Sequence, residues 1–171
     1  MELQLLEWIQ MFRTEFLDSF FKIYTTIGNR GEIWFAIILL TALNKKTRYL
    51  SIVAICALLI EVVTIEGILK PIFMRPRPFV THPIDILIPI PHGSSFPSGH
   101  SASSFAVASV YLFGKYKHRI SIFILASLMA FSRLYLFVHY PSDVLVGSIL
   151  GLIIGAATYY ILEKKLKSRL L

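Results

Sequence analysis

From residue 31 onward the chain alternates between long apolar runs and short polar or charged connections. The first run covers roughly 31–44. Its charge-free part, Ile33 to Asn44, is short for about 30 Å of hydrocarbon, so the predicted span reaches back through Gly28. The second run covers about 48–69, the third begins near Ser98 and ends near Gly114, and the fourth covers about 119–137. The fifth runs from Pro141 to Leu162 and carries no charge from Val144 onward. Ahead of them, Leu5, Leu6, Ile9, Phe12, Phe16, Phe20, Ile23 and Ile27 recur every three or four residues, with Glu7, Glu15, Asp18 and Lys22 on the other side. That pattern predicts an amphipathic helix over 1–27 lying in a membrane interface, with a distorted sixth span as the alternative. The expected architecture is all-α: a polytopic transmembrane helical bundle of five spans plus this N-terminal helix. It forms a single domain over 1–171, with a helical core at 28–163 and an outward loop at 70–97.

Composition agrees with a membrane protein and removes several alternatives. Hydrophobic residues make up 56%, charged residues 16%, and mean hydropathy is +0.68, against about 25% charged residues in a soluble domain. Disorder, a collagen-like fibre and a disulfide scaffold are excluded. The net charge of +7 does not point to nucleic acid, because the cations sit between apolar runs, as membrane-flanking charges do. The N-terminus, with Glu2 and Glu7, does not read as a cleavable signal peptide. Cys56, alone inside an apolar run, has no internal partner for a disulfide.

Loop charge predicts orientation. Lys45, Lys46 and Arg48 follow the first span, Lys115, Lys117 and Arg119 the third, and Lys164, Lys165, Lys167 and Arg169 the fifth. Alternation puts all three clusters on one side, which the positive-inside rule makes cytoplasmic. Loop 70–97 and the turn near 138–142 then face outward. Lys70, Arg75 and Arg77 break the rule there, which suggests that they are kept for chemistry.

Two stripes of small residues, Ser98/Ala102/Ala106 and Gly147/Gly151/Gly155, recur at four-residue spacing and read as close helix-packing faces. Glu66 lies four residues before Lys70, the favourable order for a helical ion pair that orients the lysine. Glu61 has no evident partner in the sequence, although an ionisable group inside a span is a functional candidate.

Three clusters carry candidate chemistry, and all fall on the outward side. Lys70-Pro-Ile-Phe-Met-Arg-Pro-Arg77-Pro78 is a stiff basic stretch; alone it reads as a lipid-headgroup anchor. Pro97-Ser98-Gly99-His100 precedes an apolar helix: Ser98 suits the N-cap, and the unpaired first-turn N–H groups form an anion site, although an ordinary capped helix start fits too. In the third, Arg133 offers a planar fork for phosphate oxygens, and Asp143 follows His139 closely after Pro141, which suits the first helical position. A carboxylate there suits a hydrogen bond from His139 Nδ1 that leaves Nε2 as nucleophile or base, or a buried structural pair. His82, His92 and His100 match no metal-binding spacing.

Lys-x6-Arg-Pro, Pro-Ser-Gly-His and Ser-Arg-x5-His-x3-Asp occur in this order over residues 70–143. Together they resemble the three signature motifs of the type-2 phosphatidic acid phosphatase superfamily, with every fixed position matched. The resemblance implies a metal-independent lipid phosphatase with no cofactor, acting through a phosphohistidine. It implies His139 as nucleophile, Asp143 as its orienting partner and His100 as general acid, with Lys70, Arg77, Ser98, Gly99 and Arg133 binding phosphate. The implied partners are the lipid bilayer and a membrane lipid phosphate at the outer face of the cytoplasmic membrane. Undecaprenyl pyrophosphate, phosphatidylglycerophosphate, phosphatidic acid and lipid A 1-phosphate are the substrates considered, with a lean to the first from the compact layout. A lipid-phosphate transporter or flippase would use the same cations but leaves the paired histidines without a purpose. A vanadate-dependent oxidase shares the constellation but not the apolar spans.

The orientation is testable by labelling. In a Cys56→Ser background, Ser94→Cys is expected to react with a membrane-impermeant thiol reagent in intact cells, and Ser168→Cys is not. The opposite pattern reverses the topology.

Overall fold

The structure is a computed structural model. It describes residues 1–29 and 31–170, with the backbone alone for Arg169 and Leu170; the side chain of Arg169, assigned above to the third basic cluster, lies outside the described part. Described elements are helical throughout: α1 (Glu2–Gln10), α2 (Glu15–Ile27), α3 (Glu32–Ala42), α4 (Arg48–Val62), a π-helical segment (Val63–Leu69), α5 (Lys70–Phe73), α6 (Pro78–Thr81), α7 (Gly99–Phe113), α8 (Arg119–Tyr135) and α9 (Pro141–Leu170). Two stretches, Arg48–Thr81 and Pro141–Ser168, are long and apolar enough to cross a membrane, and Glu32–Ala42 is a shorter apolar helix.

The single amphipathic helix expected over 1–27 is two helices. The Thr14 hydroxyl caps α2 by accepting the Leu17 N–H at 3.3 Å, and Arg13 binds Asp18 at 3.0 and 2.8 Å across the break. A cap and an ion pair at the joint satisfy the helix end and turn the chain. The inward side chains Leu6, Ile9 and Phe21 pack against Tyr135–Tyr140, while Trp8, Phe12, Phe16, Phe20 and Ile23 point outward. An outward apolar face is the arrangement that a lipid surface stabilises and water does not.

Helix α7 is the centre of the bundle, packed against α4, α8 and α9. The two small-residue stripes meet. A Cβ built on Gly147 would lie 2.5 Å from the Ser98 carbonyl oxygen, and Cβ atoms on Gly151 and Gly155 would strike the carbonyl oxygens of Ala102 and Ala106. Removing the side chains lets the two backbones touch, and a hydrogen bond from Ser109 Oγ to the Leu152 carbonyl (3.0 Å) joins them. Thr41 ties α3 to α4 and α7 through Ser51 Oγ (2.8 Å) and the Tyr111 hydroxyl (2.6 Å).

Helix α4 does not stop at residue 69. It widens into the π-helical segment and tightens again as α5, which Met74 ends with φ of 41°. Pro71 supplies the cause: it has no N–H for the carbonyl of Gly67, and its ring presses on that carbonyl. The Lys70 N–H accordingly bonds back to Ile65. Such wide turns are frequent at functional sites. Helix α9 likewise outlasts the expected limit near 162–163, because Glu163, Lys164 and Lys167 are good helix formers and Lys167 reaches Glu163 at 3.5 Å.

The glycine contact carries a stability prediction. Gly151→Ala places a methyl against backbone that cannot retreat, and overpacking of this kind costs about 1–3 kcal/mol. The expected result is a thermal unfolding midpoint in detergent lowered by several degrees. Gly67→Ala, where a Cβ meets nothing within 4 Å, is expected to leave it unchanged.

Candidate active site

The ends of four helices supply the site. Helix α5 begins with Lys70, and the chain just after it gives Arg77. The first turn of α7 gives Gly99 and His100, the last turn of α8 gives Arg133, and the turn into α9 gives His139. These six line one cavity of about 690 Å³, with Glu61, Glu66, Thr25, Asn29 and the segment Ile88–His92 on its other walls. Asp143 and Ser98 are buried and do not line it. Ser98 takes the predicted N-cap position: its hydroxyl accepts the Ser101 N–H at 3.4 Å and the Ser101 hydroxyl at 3.0 Å, so it is turned toward its own helix.

His139 is held in one tautomer. Its Nδ1 lies 2.7 Å from the Ser95 carbonyl, which can only accept, so Nδ1 carries the proton. Its Nε2 lies 3.2 Å from Arg77 Nη1, which can only donate, so Nε2 presents its lone pair. The sequence expectation gave the Nδ1 hydrogen bond to Asp143. The structure gives it to Ser95, and Asp143 Oδ2 stands 3.7 Å away. The carboxylate of Asp143 is engaged elsewhere: Oδ2 accepts the Ser95 hydroxyl (2.5 Å) and the Tyr140 N–H (2.9 Å), and Oδ1 faces Arg75 (2.6 Å). Reaching back to Tyr140 caps the start of α9, and that fixes the carboxylate away from the ring. Burial is the main cause that pushes the His139 imidazole down to about 4, helped by Arg77 and Arg133 and opposed by Asp143, so it is neutral at physiological pH.

The cations keep distinct company. Lys70 Nζ pairs with Glu66 at 2.5 Å, as the four-residue spacing predicted. Arg77 donates to the carbonyls of His92 (3.1 Å), Gly93 (3.2 Å) and Val138 (3.0 Å). Arg133 Nη1 donates to Thr25 at 2.6 Å. Two buried polar atoms, Arg133 Nε and His100 Nε2, have no hydrogen-bond partner among the described residues. Arg133 Nε can only donate, and His100 Nε2 donates when protonated; beside Arg77 and a helix N-terminus, such groups can accommodate a multiply charged anion with several oxygens. Glu61 faces the same cavity and has no hydrogen bond or ion pair among the described residues.

Sequence reasoning missed Ser95, which holds His139 with its carbonyl and Asp143 with its hydroxyl, and Thr25, which holds Arg133 from α2. Ser95 sits two residues before a recognised motif, and nothing in its spacing announces a double role. Thr25 and Arg133 are 108 residues apart, and only the packing of α2 on α8 joins them.

Comparison with known proteins finds relatives that are named as phosphatases. The undecaprenyl-diphosphatase BcrC of Bacillus subtilis is 34% identical over 115 residues, which is 67% of this chain and 57% of that protein. A lipid A 4'-phosphatase of Bacteroides thetaiotaomicron is 37% identical over 114 residues, 61% of this chain and 50% of that protein. The chain thus spans between half and three fifths of these relatives. The crystal structure of Aquifex aeolicus LpxE superposes with a TM-score of 0.82 at 31% identity, covering 93% of this chain and 94% of that one. Apolar helices and membrane relatives together make this an integral membrane protein. The model of the PAP2 superfamily matches residues 45–167, which include every one of the three motifs, and the chain belongs to that superfamily.

Proposed function

We propose that the protein is a lipid phosphatase that removes phosphate from a membrane lipid phosphate or pyrophosphate without a metal ion, through a phosphohistidine. His139 Nε2 attacks phosphorus in line, a P–N bond forms, and the P–O bond to the leaving group breaks. His100 gives its proton to the departing oxygen. In the second step His100 takes a proton from water, the water oxygen attacks phosphorus, and the P–N bond breaks to release phosphate and neutral His139. Lys70, Arg77, Arg133 and the Gly99 N–H stabilise charge on the equatorial oxygens. The observation that carries this reading is the His139 tautomer. Its Nε2 borders the cationic cavity and accepts from Arg77 Nη1 at 3.2 Å, so an anion that draws Arg77 onto its own oxygens frees the lone pair for attack on phosphorus.

The same reading places five spans in the membrane. Helices α3, α7 and α8 join α4 and α9, which fits the exposed Phe35, Leu39 and Leu40 on α3 and Ile120, Ile124 and Phe131 on α8. Loop 70–97 then faces the periplasm or exterior, and α1 and α2 lie at that interface, where the lipid enters. The names of the relatives span polyprenyl and lipid A substrates, so the lipid is best identified directly. The deciding experiment is phosphate release from undecaprenyl pyrophosphate, phosphatidylglycerophosphate, phosphatidic acid and lipid A 1-phosphate in detergent, with and without chelator. Release from none of them, or release that chelator abolishes and Mg²⁺ restores, overturns the reading.

The two histidines are separable. His139→Ala is expected to abolish both turnover and trapping of labelled phosphate on the protein. His100→Ala is expected to lose roughly 10²–10⁴-fold on an alkyl phosphomonoester, and much less on an aryl phosphate whose leaving group needs no proton. Equal losses under single-turnover conditions would remove the general acid from His100.

The pH dependence has a definite sign. His139 must be neutral to attack, and its folded value of about 4 lies below the ordinary 6.5. Between those values the unfolded chain binds more protons than the folded one, so stability from this residue is lost as pH falls from 6.5 through 4. The acid limb of kcat/KM due to His139 is expected near pH 4, after correction for ionisation of the substrate phosphate. A limb near 6.5 that survives this correction would contradict the buried, neutral imidazole.

A further inference from the structure

Asp143 is fully buried, and the group that meets its charge is not His139 but Arg75. Arg75 Nη1 donates to Asp143 Oδ1 at 2.6 Å and to Ser142 Oγ at 2.7 Å. Its guanidinium carbon lies 4.0 Å above the centre of the Tyr140 ring. One side chain therefore grips Tyr140, Ser142 and Asp143, three of the four residues that follow His139. Arg75 is itself held. Its Nη2 donates to Glu2 Oε2 at 2.7 Å, and Glu2 Oε1 accepts the Ser142 N–H at 2.9 Å. Glu2 thus caps the first turn of α9 from another helix, where a carboxylate favours the dipole. Leu6, one turn further along α1, packs on Phe137 and Tyr140.

We propose that Arg75, braced by Glu2, is a positioning residue for the Asp143–His139 pair, which makes the N-terminal helix a working part of the catalytic assembly. The proposal rests on the phosphatase reading above. Arg75 falls among the unspecified positions of the Lys-x6-Arg-Pro motif, and Glu2 lies outside all three motifs. Arg75 does not line the cavity that holds His139. It borders a neighbouring one of about 660 Å³, next to Lys70 and Arg77. Both of its terminal nitrogens are already committed and its face is stacked, so it has little left to offer a substrate phosphate. One charge-assisted bond to the Asp143 carboxylate and one to the Ser142 hydroxyl fix the start of α9 and so the turn that carries His139. It also offsets the Asp143 charge that His139 feels. The other charged or titratable groups facing His139 are Arg77 after α5, Arg133 on α8 and His100 on α7, with Lys70 on α5 acting on His100.

The test uses the full chain in detergent with Arg75→Gln, Arg75→Lys and Glu2→Gln. Turnover of a short-chain lipid phosphate is measured alongside ring-¹⁵N histidine spectra as a function of pH. Arg75→Gln is expected to lower kcat roughly 10- to 100-fold, the scale on which small misplacements act, with KM within about three-fold. It is also expected to raise the pH at which His139 titrates by roughly half to one unit, because Asp143 then acts on it unopposed. Arg75→Lys keeps the charge and is expected to restore the titration, with only part of kcat. Glu2→Gln is expected to move kcat in the same direction by less, and it decides the matter if Arg75→Gln does not fold. The proposal is overturned if kcat and the His139 titration are both unchanged, or if KM rises with kcat unchanged, which would make Arg75 a substrate contact. The spectra need no turnover, so a wild-type protein that releases no phosphate sinks the phosphatase reading while the coupling is still measured.

Discussion

The approach of α9 to α7 at backbone-contact distance is the constraint on which the site depends. Lipid tails are as apolar as leucine, so helix association in a bilayer cannot rely on a hydrophobic drive and rests on close packing and directional polar contacts. Gly147, Gly151 and Gly155 bring the backbone of α9 onto the carbonyls of Ser98, Ala102 and Ala106. That register sets the two helix N-termini side by side, and the Ser98 N–H closes the join on the Asp143 carbonyl at 3.0 Å. His100 in the first turn of one helix and His139 just before the other then share a cavity. Neither helix alone creates a site.

A cluster of cations inside an apolar bundle is unfavourable unless each is met by polar partners. The partners here sort the cations by task. Arg75 lies between two carboxylates, so its charge is used up inside the protein. Arg77 is bonded mainly to carbonyls and Arg133 to a hydroxyl. Those partners orient the guanidinium groups without neutralising them, and their field remains for an anion in the cavity. Lys70 stands between the two cases: its partner Glu66 is half exposed on a π-helical turn, which leaves the pair less shielded than the one between Arg75 and buried Asp143.

Two of the expectations that the structure altered concern local patterns that more than one arrangement can satisfy. Residues 3–27 carry a continuous helical period, yet the chain breaks at Thr14, because a helix satisfied by a cap and an Arg13–Asp18 pair can turn while keeping Leu6, Ile9 and Phe21 inward. Four-residue spacing suggested a His139–Asp143 hydrogen bond, yet the carboxylate turned back to cap its own helix and the Ser95 carbonyl took the imidazole proton. In each case the local pattern allowed more than one arrangement, and local capping together with a distant partner, residues 135–140 for the first and Ser95 for the second, chose between them.

The sequence alone determined what is local and periodic. Apolar runs too long and too free of charge for a soluble domain required a helical membrane protein, small residues at every fourth position marked the close-packing faces, and Ser98, Pro141 and the Glu66–Lys70 spacing fixed helix starts and an ion pair. The order of the three motifs identified the family by resemblance, and the lysine, arginine and paired histidines in them are the groups that the proposed chemistry needs. Only the tertiary structure decided who holds whom: Glu2 with Arg75, Thr25 with Arg133, Ser95 with both His139 and Asp143. Those partners lie 44 to 108 residues apart, and no period along the chain encodes such distances. They are set by which helix faces pack, a property of the assembled bundle.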